Sequence, residues 1–274
     1  MLKTRRKREL EILSSAERDK MREAGLLASE LLARLGEMAK PGVSTLELDE
    51  EAVRFAAQHG VKNAPLGYKG FPRSICTSRN EVVCHGIPSR AEILQDGDIV
   101  SLDVTLLKDG FHGDTCATFF VGTPSEEARK LVEVTAECLI LALEQVRPGQ
   151  RIGDLGFVIQ RHAEARGYSV VREFQGHGVG RKFHTAPDVP HFGKRDTGVR
   201  LRRGMSFTIE PMINIGDWPV KILADDWTAV TRDGSLSAQF EHTIIVTEDG
   251  FEAMTAPEGV DPLKTSPGGV ITLD

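Results

Sequence analysis

Ile99-Val100-Ser101-Leu102-Asp103-Val104-Thr105-Leu106-Leu107-Lys108-Asp109-Gly110-Phe111-His112-Gly113-Asp114 is the stretch on which the reading of this chain turns. Asp109-Gly110 between two strand-like runs is the strongest short hairpin signal. A two-residue turn there pairs Thr105 with Asp114 and Asp103 with Cys116. Side chains alternate faces along a strand, so Asp103 and Thr105 share a face and the two carboxylates become diagonal neighbours. Asp is depleted in strands. Two such charges about 5 Å apart, at an effective dielectric near 20, repel by about 3 kcal/mol. A protein tolerates that if one carboxylate is protonated or a cation lies between them.

Outward from the hairpin, the chain reads as helices followed by strands. Ser14 to Glu17 and Ser44 to Glu47 are capping boxes that open helices, stopped at Pro41-Gly42 and at Gly60. Thr123-Pro124 opens a third helix running to about Val146, and a fourth covers about 152–166. Residues 74–83 alternate in the manner of a strand, and the chain reads as β from Tyr168 onward, with turns at Asp225-Asp226 and Asp233-Gly234. The residues after Ala256, rich in Pro and Gly, are expected to pack loosely.

A repeat runs through this order. A shift of 107 positions carries Pro41-Gly42 onto Pro148-Gly149, Leu48 onto Leu155, Gly60 onto Gly167, Leu94 and Gly97 onto Leu201 and Gly204, and Asp103 onto Glu210. The pattern predicts two related αβ halves about a pseudo-twofold axis, with a site between them fed by both. The repeat is too long for a solenoid unit.

Composition bounds the function. The 274 residues are 40% hydrophobic and 27% charged, which is globular composition with enough apolar side chains for a core. The net charge of −6 argues against broad binding to DNA or to a membrane. Lys3, Arg5, Arg6, Lys7 and Arg8 form a basic start with no apolar stretch behind it, so it does not read as a secretory signal. The four cysteines, Cys76, Cys84, Cys116 and Cys138, form no CxxC pair and are expected to be reduced, in the cytoplasm.

More candidates lie in apolar strings: Glu210 in Phe207 to Pro211, Glu241 in Phe240 to Val246, and His177 among the glycines of Gly176 to Gly180. Taken singly, a strand carboxylate is more often an ion-pair partner and a histidine more often a satisfied structural residue. Jointly, four carboxylates and one imidazole suit a pair of divalent first-row metals, with bridging carboxylates holding the ions about 3.5–4 Å apart. The glycines match no phosphate loop, and no HExxH is present.

Asp103…Asp114…His177…Glu210…Glu241 has the order and spacing of the type I methionine aminopeptidases, and the resemblance covers about Ala16 to Glu252. The strings Asn80 to Pro88, Gly113-Asp114, Gly176 to Gly180 and Ser237 to Thr243 resemble the same family. The resemblance implies a pita-bread fold, α/β (α+β), with two pseudo-twofold αβ halves around a curved antiparallel sheet. It divides the chain into a basic arm over 1–15, one metallopeptidase domain over 16–255 and a tail over 256–274. It implies that Asp114 and Glu241 bridge two divalent ions (Co, Mn, Fe, Zn or Ni), that Asp103 chelates one, and that His177 and Glu210 bind the other. Glu210 would also take the proton of the attacking water. His85 would hydrogen-bond at the scissile amide, and His184 would stabilise the oxyanion. Tyr68, Phe71, Cys76, Phe183 and Trp227 would form the methionine pocket, where aromatic and sulfur-bearing walls suit a thioether. Asn80, Val82 and Ser237 would hold a monovalent cation, Na or K.

The implied activity is removal of the initiator methionine from peptides and nascent chains whose second residue is small, by a cytoplasmic monomer that could meet them at the ribosome. Two departures touch the pocket. Pro65 stands where some members carry a cysteine, and Thr185-Ala186 replaces an acidic residue after His184. His162 and His191 match nothing in the family and read as structural or solvated. Competing readings are an aminopeptidase P or prolidase of the same fold, and a metal-free relative that binds peptide, histone or RNA.

Overall fold

The computed structural model describes residues 10–273. The basic residues Lys3 to Arg8 lie outside the described residues. Among the described residues there are four α-helices: α1 (Ser15–Met38), α2 (Thr45–His59), α3 (Glu126–Leu143) and α4 (Ile152–Ala165). In chain order the strands are β1 (Lys62–Asn63), β2 (Cys76–Arg79), β3 (Val82–Cys84), β4 (Ile99–Lys108), β5 (Phe111–Phe120), β6 (Ser169–Val170), β7 (Gly176–Gly178), β8 (Thr185–Val189), β9 (Ser206–Ile209), β10 (Met212–Asn214), β11 (Val220–Ile222), β12 (Ala229–Thr231), β13 (Ser237–Gln239), β14 (Glu241–Val246) and β15 (Phe251–Ala253).

The helix ends follow their capping chemistry. Ser44 accepts from the Glu47 N–H while Glu47 reaches back to the Ser44 N–H, and Gly60 closes α2 in a left-handed conformation. The third helix starts later than expected, because Ser125 rather than Thr123 caps it, accepting from the Ala128 N–H at 3.1 Å. It also stops at Leu143, short of Val146. The strand expected over 74–83 is two strands, β2 and β3, broken where Asn80 turns at φ +52°.

Nine strands form one antiparallel sheet, with β1-β4-β5-β14-β9-β7-β8 in order, β2 beside β4 and β15 beside β14. Two three-stranded sheets, β13-β10-β6 and β11-β12-β3, flank it. Alternation gives the main sheet two chemically different faces. Val100, Leu102, Val104 and Leu106 of β4, Ala117 of β5 and Phe207 and Ile209 of β9 join the core that the helices cover. The other face carries Asp103, Asp114 and Glu241.

The repeat is visible bond by bond. Gly42 donates to the Leu94 carbonyl and Gly149 to that of Leu201; Leu94 donates to Val43 and Leu201 to Gln150; Val61 donates to Ala56 and Tyr168 to Ala163. Beyond Glu210 the offset changes. Gly97 donates to Val121 in the first half and Gly204 to Val246 in the second, so the returning strand is shifted by 125 instead of 107. The difference is the excursion through β10–β13, where the first half has only the Asp109-Gly110 turn. At the shift of 125, Cys116 maps onto Glu241, and these two residues pair across β5 and β14, so the pseudo-axis runs through that pair.

The C-terminal residues correct the expectation of loose packing. Ser266 and Pro267 are buried, Thr265 bridges Thr272, and the turn Pro267–Gly269 contacts α1 and β5. Proline and glycine there serve a tight turn whose backbone the Ser266 hydroxyl satisfies, accepting from Ile271 at 3.0 Å.

Candidate metal centre

The β4–β5 turn has φ +47° at Asp109 and +82° at Gly110, the left-handed pair that a primed hairpin turn demands. The register is the predicted one: Thr105 opposite Asp114 and Asp103 opposite Cys116. The Thr105 hydroxyl donates to Asp114 Oδ1 at 2.6 Å. Strand β14 lies on the other side of β5 with Glu241 opposite Cys116, so Asp103 and Glu241 flank Cys116 across three adjacent strands. Glu210 follows β9, its Oε1 accepting from Thr208 at 2.6 Å and its Oε2 from the Gln239 amide at 3.3 Å.

His177 enters from β7. Its Nδ1 lies 3.1 Å from the Gly178 carbonyl, where it donates as N–H. Its Nε2 faces the carboxylates, 3.6 Å from Asp114 Oδ2 and 3.7 Å from Glu210 Oε1. Ligand atoms of Asp114, His177 and Glu241 all lie within 4.8 Å of one another.

The electrostatics show what the cluster lacks. Burial raises Asp103 to about 7. Burial first, then repulsion from Asp103, pushes Asp114 well above the usual carboxylate range. Burial also raises Glu210 and Glu241, with repulsion from Asp114 and Asp103 adding to it, and only the Thr208 hydroxyl pulls Glu210 the other way. Four crowded carboxylates, two of them buried (Asp114 at 4% and Glu241 at 2% exposure) and two, Asp103 and Glu210, partly buried, are stable as anions only with cations among them. With one imidazole beside them, the donor set fits divalent metal ions.

This floor belongs to a cavity of about 300 Å³. Every residue expected at the substrate lines it: Tyr68, Phe71, Cys76, His85, Phe183, His184 and Trp227. The Tyr68 ring stacks on His184 at 5.0 Å, and Trp227 meets Phe71 and His85 edge to face. Burial lowers His85 to about 4. Partial desolvation among the cavity rings, then the neighbouring His177, lowers His184 to about 2, although the residue keeps an exposed edge. Both rings are therefore neutral near pH 7. Pro65 lies in the wall as well.

Asn80, Val82 and Ser237 gather away from this cavity. Ser237 donates its N–H to the Asn80 carbonyl at 2.9 Å, and its hydroxyl oxygen is buried with no hydrogen-bond partner. His162 is structural, bound to Glu137 at 2.6 Å. His191 is structural and not solvated. It is 1% exposed, and its Nε2 accepts the Glu210 N–H at 3.1 Å. All four cysteines are free and buried.

Reading the sequence alone missed Thr105, Thr208 and Gln239, which orient the carboxylates. Thr105 was accessible from the hairpin register. Gln239 is the position onto which the shift of 125 carries Asp114, and that shift appears only in the folded chain.

The site and fold are those of a metallopeptidase. The chain belongs to metallopeptidase family M24, whose description it matches over residues 19–248. It is 61% identical over 247 residues to methionine aminopeptidase A of Synechocystis sp., a match spanning 90% of this chain and 98% of that protein. The crystal structure of methionine aminopeptidase from Rickettsia prowazekii superposes with a TM-score of 0.89 at 47% identity, covering 90% of this chain and all of that one. The resemblance read from the five candidate ligands is thus upheld, and so is the expected fold. The prolidase from Pyrococcus horikoshii superposes at TM-score 0.71 with 22% identity, and this chain covers 64% of it. That likeness is one of fold alone.

Proposed function

We infer that this protein is a metal-dependent aminopeptidase that removes an N-terminal methionine when the second residue is small. The observation that carries this is the convergence of Asp103, Asp114, His177, Glu210 and Glu241 at the floor of an aromatic and sulfur-lined cavity, in a chain 61% identical to a methionine aminopeptidase. Asp114 and Glu241 would bridge two divalent ions, Asp103 would chelate one, and His177 and Glu210 would hold the other. Co, Mn, Fe, Zn and Ni all suit this donor set. Bound ions supply Lewis acidity, lowering the pKa of water from 15.7 toward about 7 and anchoring the free amine of the substrate.

The chain's own residues do the rest. Glu210 accepts the proton of the attacking water. His184, neutral because partial desolvation and His177 disfavour its cation, donates an N–H to the developing oxyanion. His85, also neutral, hydrogen-bonds at the scissile amide. Phe71, Cys76, Tyr68, Phe183 and Trp227 surround the methionine thioether, and a bulky second side chain would clash at the mouth. The unpartnered Ser237 hydroxyl beside the Asn80 carbonyl supports a sodium or potassium ion held there with Val82.

We assign the activity to a single domain over 16–255 acting as a cytoplasmic monomer on nascent chains, with the ribosome as the place of encounter. Among the described residues no helix is long and apolar enough to cross a membrane. A prolidase activity has less support, since that likeness is confined to the fold. The test is incubation of the metal-loaded protein with Met-Ala-Ser, Met-Lys-Ser and a proline-containing peptide, with products identified by mass. Release of methionine from Met-Ala-Ser alone is expected. Efficient cleavage of Met-Lys-Ser, or cleavage only before proline, would overturn the reading.

A further inference from the structure

We propose that His112 is a positioning residue that sets the place of the substrate-binding loop over 179–184 relative to the metal centre. The proposal deepens the aminopeptidase reading and rests on it for the roles of Phe183 and His184. That loop leaves β7 at Gly178 and returns to β8 at Thr185, where the two strands still pair. It carries two cavity-lining residues, Phe183 and His184, and something must hold it.

On the outer side, Arg181 pairs with Glu11 at 2.5 Å and with Glu17. Arg181 is half exposed, and exposed ion pairs contribute little. On the inner side the attachment is buried. The Gly180 carbonyl accepts two hydrogen bonds from one residue: the backbone N–H of His112 at 2.9 Å and its ring Nδ1 at 2.8 Å. His112 is 7% exposed, so neither bond competes with water. Its ring also lies flat against Phe183, with centroids 5.6 Å apart and planes 10° apart. Phe183 in turn touches His184 at 4.3 Å and Tyr68 at 4.8 Å.

The geometry links two sites through one strand. His112 and Asp114 are two residues apart on β5 and so share a face. The strand that presents Asp114 to the cluster therefore also fixes, through His112, the loop that presents His184. Two bonds to one carbonyl hold the loop's height, and the stacked ring holds its tilt. Misplacement of a catalytic group by about 1 Å can cost of the order of a hundredfold in rate, so such an anchor has a kinetic consequence.

Three variants separate the two contacts. His112→Asn keeps a donor near the place of Nδ1 and loses the ring. His112→Phe keeps the ring and loses the donor. His112→Gln moves the donor to the place of Nε2. In the metal-loaded protein acting on Met-Ala-Ser, His112→Phe and His112→Gln should lower kcat about tenfold, the value of one positioning hydrogen bond. His112→Asn should keep kcat within about threefold of the parent and raise KM instead, because Phe183 loses its support. If His112 acts through His184, His112→Phe added to His184→Ala should cost little beyond His184→Ala alone. Hydrogen exchange at the 179–184 amides gives a readout independent of activity, and His112→Phe and His112→Gln should accelerate it while His112→Asn should not. The inference is overturned if all three variants lower stability alike and leave kcat and loop exchange at parental values, or if the double variant is additive. Should His112→Phe not fold, the contrast between Asn and Gln decides. Failure of the parent to release methionine would instead overturn the aminopeptidase reading, and the exchange measurement would still decide the role of His112.

Discussion

Glu210 combines more roles than any other residue of the cluster. Its side chain is oriented by Thr208 and Gln239, its backbone N–H is held by His191, and its charge is opposed by Asp114 and Asp103. Glu210→Gln keeps the volume and removes the charge. With the proton acceptor gone and one metal weakened, kcat on Met-Ala-Ser should fall at least about 100-fold. The metal-free variant should be as stable as the parent or more so, because one repulsive charge has left the cluster. Its melting temperature should rise less on adding Mn²⁺ or Co²⁺. A variant with parental activity, or one that metal stabilises fully, would sink the role assigned to Glu210. A second residue-scale prediction concerns Thr105→Val. It deletes the hydroxyl that donates to Asp114 Oδ1, and about tenfold weaker metal binding by calorimetry is expected. Unchanged affinity would show that the hydroxyl does not orient the ligand. The five candidate ligands were legible because carboxylates are out of place in apolar strand strings. Their supports were not, since Thr and Gln are ordinary residues whose partners lie on other strands.

At the scale of elements, α1 and β5 come so close that no side chain fits between them. A Cβ on Gly25 would lie 2.2 Å from the Met254 carbonyl oxygen, and one on Gly113 would lie 2.4 Å from the Gly25 nitrogen. In a free helix Gly25→Ala would gain about 1 kcal/mol of propensity. Here the obstacle is backbone, which cannot rotate away, and overpacking costs about 1–3 kcal/mol. Urea denaturation should therefore show a net loss of stability, and a gain would mean that α1 can lift off the backbone at Met254. The starts of α1 and α2, the hairpin turn and its register were legible, because caps, left-handed turn residues and alternation are settled among neighbours in sequence. The end of α3, the break at Asn80 and the packed turn at Pro267–Gly269 were not. Each is decided by contacts with distant segments.

The whole molecule balances two sets of buried groups with opposite pH responses. Without metal, the raised carboxylates stabilise the fold fully below their unfolded pKa values near 4. For Asp103 that contribution is lost as pH rises through about 7, and for Asp114, Glu210 and Glu241 it is lost as pH rises through their own raised values. The buried histidines run the other way. His191 and His242 are each lowered to about 3, so their contribution is full above about 6.5 and declines as pH falls toward 3. The metal-free protein should thus have a stability maximum in the mildly acidic range, with losses on both sides. Metal removes the alkaline limb by pairing with the carboxylates, and protons compete with it at low pH. The rise in melting temperature on adding Mn²⁺ should be larger at pH 8 than at pH 6. Equal rises would show that the cluster is not protonated in the metal-free state.

By itself, the sequence determined the repeat, the caps of α1 and α2, the hairpin with Asp103 and Asp114, and the family to which five spaced ligands belong. These depend on local backbone preferences and on residue chemistry that survives without knowledge of the fold. Only the tertiary structure decided that Glu241 faces Cys116 across the pseudo-axis, that burial turns four carboxylates into a site that requires cations, and that His112 anchors the loop of Phe183 and His184. Those results arise where segments far apart in the chain, such as Cys116 and Glu241, become neighbours. Desolvation and repulsion act through space, and no local pattern in the sequence encodes them.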